Sequence, residues 1–159
     1  MTHLRIRTLL PLTALGVATA CVVGLYDLST ADRHGEGVAG GDYGYDLARF
    51  HADGDAAMDL VVGAPREDTV YIHLDPNGEV DGELDLADAW RFVGDAGGEA
   101  GWAVLGGRFF GSLVVDDLAV SAPIEAGGRG RVYVFRGGVL DGDIDGEDAL
   151  TTITGTQIN

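Results

Sequence analysis

From about residue 45 onward, short apolar stretches alternate with polar positions and are bounded by glycine, proline or aspartate. Period-two stretches of this length between turn residues predict strands. The predicted strands are Tyr45–Phe50, Leu60–Ala64, Thr69–Leu74 and Trp90–Val93, followed by Trp102–Gly106, Leu118–Ser121, Arg131–Arg136 and Leu150–Thr154. No segment beyond the N-terminal region carries a helical apolar period over ten residues or more, so the fold class expected is all-β. Turn chemistry separates the strands. Pro65 and Pro123 close theirs, while Asp75-Pro76-Asn77-Gly78 and Gly137-Gly138 begin the connection to the fourth strand of each set.

The two sets of four strands are copies of one unit. Asp59-Leu60-Val61-Val62-Gly63-Ala64-Pro65 returns as Asp117-Leu118-Ala119-Val120-Ser121-Ala122-Pro123. Gly44-Tyr45 matches Gly101-Trp102, Val70-Tyr71-Ile72 matches Val132-Tyr133-Val134, and the run from Val80 to Asp85 matches that from Leu140 to Asp145. Segments that recur in the same order at nearly constant spacing mark a repeat architecture, in which each unit buries its apolar face against a neighbour.

A glycine-aromatic pair, an Asp-rich loop ending in Asp-Leu, an apolar strand closed by Gly-Ala-Pro, and then Val-Tyr-aliphatic together resemble the FG-GAP repeat of integrin α chains and bacterial surface proteins. The resemblance covers roughly residues 41 to 155. It implies two four-stranded antiparallel blades of an FG-GAP β-propeller, an incomplete ring, with repeat 1 at 42–98 and repeat 2 at 99–159.

The N-terminus reads as an export signal over 1–20. Arg5 and Arg7 give a basic start, Leu9 to Val17 is apolar, and Ala18-Thr19-Ala20 supplies small residues before Cys21. Cys21 is the sole cysteine and stands where a bacterial lipoprotein is cut and lipidated. Three processing routes stay open at this point: lipidation of Cys21, ordinary signal cleavage, and an uncut anchor, since the apolar run to Tyr26 approaches the length of a membrane span. Residues 21–41, polar and glycine-containing from Asp27, read as a lipid-anchored or flexible tether. The expected location is the cell envelope or outer surface.

Charge narrows the partners. The formal net charge is −16 and no lysine occurs. A surface this acidic repels phosphate backbones and anionic headgroups, which excludes nucleic acid as a partner and leaves the lipid end as the contact with a membrane.

Candidate chemistry lies between the first two strands of repeat 1, where His51 to Asp59 places carboxylates at alternate positions of a tight loop. Calcium takes six to eight oxygens, and alternate carboxylates plus a backbone carbonyl can supply several of them. By resemblance to the calcium loops of the family, Asp53, Asp55 and Asp59 are side-chain ligands and Ala57 offers its carbonyl. His51 stands where the family usually has Asp, which weakens the site. The corresponding loop of repeat 2 has Gly111 and Leu113 at the ligand positions and is not expected to bind calcium. Asp117 is expected to serve the turn by accepting backbone hydrogen bonds.

The acidic run at Asp141 to Gly146 begins like an EF-hand loop, but Thr152 stands where that loop needs a bidentate Glu, so the run reads as an exposed linker. No nucleophile, phosphate-loop or zinc motif accompanies the four histidines, and the protein is expected not to be an enzyme. The expected function is a surface-exposed module for protein or glycan binding in adhesion. The alternative is a structural fragment of a longer FG-GAP protein with no ligand of its own. Two blades leave apolar faces open, so self-association or docking on other propeller blades is a further expectation.

Overall fold

The computed structural model describes residues 33–75, 82–111 and 115–156. The export signal, Cys21, Pro76-Asn77-Gly78, Val80-Asp81 and Leu113 lie outside them.

Among the described residues there are ten strands: β1 (Arg33–His34), β2 (Leu47–Phe50), β3 (Asp59–Ala64), β4 (Thr69–His73), β5 (Gly82–Glu83), β6 (Trp90–Val93), β7 (Ala103–Gly107), β8 (Asp117–Ala122), β9 (Arg131–Phe135) and β10 (Thr151–Thr154). The order β2-β3-β4-β6 forms one antiparallel sheet and β7-β8-β9-β10 a second, so the all-β fold of two four-stranded blades is observed. All eight predicted strands occur, their ends shifted by no more than two residues. Pro65 opens a 3-10 turn, and the corresponding turn of the second blade, Glu125–Gly128, places Ala126 and Gly127 in the left-handed region and so is no continuous helix.

The registers make the blades superposable. Val62 faces Tyr71 as Val120 faces Tyr133, Leu60 faces His73 as Leu118 faces Phe135, and Val70 faces Phe92 as Val132 faces Ile153. Alternation then assigns two faces to each sheet. One face of the first blade, here the trailing face, carries Phe50, Val61, Val70, Ile72 and Phe92. It packs on the leading face of the second blade, which carries Val104, Leu118, Val120, Tyr133 and Phe135. Phe92 meets Tyr133 and Phe135 edge-on at centroid distances of 4.8 and 5.1 Å. Fully burying such side chains contributes on the order of 2–3 kcal/mol each, so this interface is the core of the molecule. The leading face of the first blade holds a smaller cluster of Val62, Ala64, Tyr71 and Ala89, against which Tyr43 packs.

Glycine lets the blades approach backbone to backbone. A Cβ on Gly106 of β7 would fall 1.9 Å from the carbonyl oxygen of Arg49 in β2, so only a residue without one fits that contact.

Two segments differ from expectation. The acidic run after β9 is no exposed linker: Leu140 and Ile144 are buried between the blades, Ile144 bridges Phe92 in parallel, and Asp143 accepts the backbone N–H and guanidinium of Arg91 at 2.8 and 3.0 Å. The carboxylates stay outside while the apolar residues between them turn inward, a strap across the blade boundary. The described end of the tether, 33–41, also carries local structure. β1 pairs in parallel with β5, and Gly41 is buried and donates to the carbonyl of Val38.

Candidate functional site

The Asp-rich loop leaves the end of β2 and returns into β3. At its closing position Asp59 is 1% exposed, and its two carboxylate oxygens accept the N–H groups of Ala52 at 2.6 Å and Asp75 at 2.9 Å. Asp117 does the same in the second blade, accepting from Phe109 and Phe110 at 3.0 Å each and from Gly137 at 3.4 Å. The repeated aspartate is thus a backbone staple in both blades, as the sequence suggested for Asp117. Burial is the largest influence on Asp59 and raises its pKa; the two N–H donors oppose this, and the charges of Asp53 and Asp55 add to the rise.

Asp53 and Asp55 are exposed and close successive Asx turns. Asp53 accepts the N–H of Asp55 at 3.1 Å, and Asp55 accepts that of Ala57 at 2.7 Å. Asp59 is therefore turned into the protein while Asp53 and Asp55 face solvent, with Ala57 between them in the loop. Among the described residues no three acidic or histidine side chains gather around one point that could hold a metal ion. The three carboxylates thus do not converge on one point, Asp59 being turned inward and Asp53 and Asp55 outward.

The loop is instead engaged with the second blade. The carbonyls of His51 and Ala52 accept the N–H groups of Gly138 at 2.7 Å and Leu140 at 3.0 Å. His51 Nδ1 is buried without a hydrogen bond, 3.8 Å from Asp116 Oδ2.

Two groups with structural roles were not singled out in the sequence. Asp46 Oδ2 accepts the N–H of Val104 across the blade boundary at 2.8 Å. Glu67 and Glu125, each just after the repeat's proline, accept the phenols of Tyr71 and Tyr133 at 2.7 Å, and Glu125 also takes the N–H of Asp95 and pairs with Arg131. His73 is buried and bonded through Nε2 to the Tyr43 hydroxyl at 2.8 Å; burial lowers its pKa and pushes that of Tyr43 up to about 12. The recurrence of Glu-x3-Tyr as Glu-x7-Tyr was a signal available in the repeat alignment.

Two surface features remain. Tyr45 and Trp102, the aromatic residues of the glycine-aromatic pairs, are each 45% exposed with ring centroids 4.8 Å apart. A polar groove of about 510 Å³ runs between the ends of β6 and β10, with Arg131 flanked by Asp95, Asp145 and Glu147. No helix among the described residues is long and apolar enough to cross a membrane.

With this geometry in hand, comparison with known proteins adds one relative. Integrin alpha-6 of Gallus gallus is 32% identical over 111 residues, an alignment that covers 65% of this chain and 10% of that protein. Over that stretch the chain is similar to an integrin alpha chain. The chain thus spans about a tenth of the curated relative it matches. No family model matches.

Proposed function

We propose that this chain is a non-catalytic, integrin-like propeller module that binds a protein or glycan at a cell surface. The observation that supports this best is the Tyr45–Trp102 pair, two neighbouring rings half open to solvent at corresponding points of both blades. Rigid aromatic side chains offer large contact area at low entropic cost, and enrichment in Tyr and Trp marks binding surfaces. The similarity to integrin alpha-6 over part of the chain supports an adhesion setting. On this reading the chain is exported and held at the envelope by lipid on Cys21.

The experiment is adhesion of cells displaying the full chain to immobilised protein and glycan panels. Tyr45→Ala with Trp102→Ala abolishes adhesion while leaving the thermal midpoint within a few degrees; adhesion that survives this pair overturns the reading.

Calcium enters the proposal through Asp53, Asp55, the Ala57 carbonyl and Asp59, with the ion drawing the loop together. A ligand bound only to the folded state raises its stability by mass action. Millimolar calcium is expected to raise the thermal midpoint, and Asp53→Ala to remove the rise. A midpoint indifferent to calcium leaves the loop held by its own hydrogen bonds, and loss of stability without loss of adhesion when Asp53, Asp55 and Asp59 are replaced by Ala favours the second reading, a structural segment with no ligand of its own.

A further inference from the structure

The two blades differ in one titratable position. The register places His73 of β4 where β9 has Phe135, since Leu60 faces the first and Leu118 the second. Both residues are buried, and each lies under a ring from outside its own sheet. Phe92 is edge-on to Phe135 at 5.1 Å, while Tyr43 is edge-on to His73 at 6.3 Å and to Tyr71 at 5.5 Å.

The segment that brings Tyr43 there is lightly held. Gly35 and Gly37 pass so close to Tyr43 that a Cβ on either would meet it. β1 contributes a two-residue parallel pair with β5, the N–H groups of Gly44 and Tyr45 share the carbonyl of Gly63 at 3.0 and 3.1 Å, and Arg66 pairs with Asp42 at the surface at 2.9 Å. Exposed ion pairs and short pairings contribute little, so the segment belongs to the part of the fold that opens locally before global unfolding.

The surroundings of His73 make such opening depend on pH. Leu60 faces it on β3, and on the β6 side Ala89, next to the residue that faces Ile72, is buried. Among the described residues the charged groups near this face are engaged or exposed. Glu67 accepts the Tyr71 hydroxyl, Asp42 pairs with Arg66 and Arg91 with Asp143, while Arg49, which faces Leu60 from β2, and Glu36 on the covering segment are exposed. Burial lowers the pKa of His73, and no carboxylate, Asp75 two residues along included, offsets it. The Tyr43 hydroxyl, 2.8 Å from Nε2, has its own pKa pushed up to about 12 by burial, so it stays neutral and brings no counter-charge. An imidazolium here is a buried, uncompensated cation, which water solvates once the covering segment lifts.

We propose that residues 33–45 form a pH-sensitive latch over His73, closed while the imidazole is neutral and released from the blade when the ring takes up a proton. Release frees the Tyr43 ring from Tyr71 and His73 and opens both to solvent. The blade pair stays docked, because the matching position there is Phe135, which does not titrate. With the latch open His73 titrates near its ordinary 6.5, and with it closed below that value, so opening grows as pH falls through 6.5 and levels off below the closed-state pKa. The proposal rests neither on the adhesion reading nor on calcium.

The test is amide hydrogen exchange of the full chain in detergent micelles at about pH 7.5 and about pH 5.5, where ordinary carboxylates stay ionised, with rates corrected for the intrinsic effect of pH. Protection of the Gly41, Gly44 and Tyr45 amides, all hydrogen-bonded in the closed latch, is expected to fall about three- to tenfold over this interval while the central amides of β3 and β8 keep theirs. His73→Phe, which installs the side chain of Phe135, and His73→Gln, which keeps a polar group without titrating, should each abolish the change at the latch, and either one that folds decides the matter. Protection that does not change with pH, a loss that persists in a folded His73 variant, or an equal loss in β3 and β8 would overturn the proposal.

Discussion

Val104 donates its backbone N–H to a carboxylate oxygen of Asp46 at 2.8 Å, tying the first strand of one blade to the segment that enters the first strand of the other. The bond joins residues 58 positions apart across the interface that buries Phe92. Hydrogen bonds to charged groups contribute more than neutral ones, about 1.5–3 kcal/mol. Asp46→Ala should therefore destabilise the fold by about 1–2 kcal/mol in urea unfolding, with the partial exposure of Asp46 reducing the loss. Asp46→Asn, which keeps an acceptor, should recover most of it.

The aspartates of the loop should separate by role. Asp59→Ala leaves two N–H groups without acceptors beside a buried pocket and is expected to cost about 2–4 kcal/mol in calcium-free buffer. Asp53→Ala and Asp55→Ala remove only exposed local bonds, and each should stay below about 1 kcal/mol. Equal losses at all three positions in a chemical denaturation series would contradict the assignment of Asp59 as the staple.

The trailing faces give a matched pair of truncations. Phe92→Ala empties a fully buried aromatic site and should cost about 3–5 kcal/mol. Ile153→Ala, at the same register but 60% exposed, should fall within about 0.5 kcal/mol when measured at concentrations too low for association.

His73 sets a pH dependence. Its folded pKa lies below 6.5 because burial disfavours the imidazolium, so the unfolded chain takes up the proton more readily. Stability from this group is full above pH 6.5 and declines as pH falls through the folded pKa. His73→Phe, which installs the residue found at the matching position as Phe135, should remove that slope in thermal midpoints measured across mildly acidic pH. The variant loses the bond to the Tyr43 hydroxyl, so a uniform drop of about 1 kcal/mol should accompany the flattening.

The strands were legible because both faces of each blade are read from simple alternation, and because Pro65 and Pro123 mark the strand ends. The repeat extended that reading to the pairing order, since one unit with four strands folds the same way twice. The strap at Leu140 to Asp145 was not legible, as its two buried residues are isolated within an acidic run that by composition belongs in water. Nor was the local structure at 33–45, whose turns are specified by left-handed φ at Gly40, Asp42 and Gly44 and not by any apolar period. At the candidate site, the spacing of Asp53, Asp55 and Asp59 was plain, but spacing does not report direction. The inward turn of Asp59 depends on Ala52 and Asp75, the second of them 16 residues away. Asp46 was hidden for the same reason, its bond reaching Val104, 58 residues away, whereas the Glu–Tyr pairs are local and their recurrence was there to be read in the repeat.

Hydrogen exchange at Val104, Leu140 and Ile144 tests the blade pair most directly, because these amides donate to Asp46, Ala52 and Arg91, all across the blade boundary. Docked repeats predict that all three exchange as slowly as the central amides of β3 and β8, opening only with global unfolding. Fast exchange at these three, with β3 and β8 still protected, would mean that the blades fold without docking on one another and would contradict the propeller arrangement on which the proposed function depends.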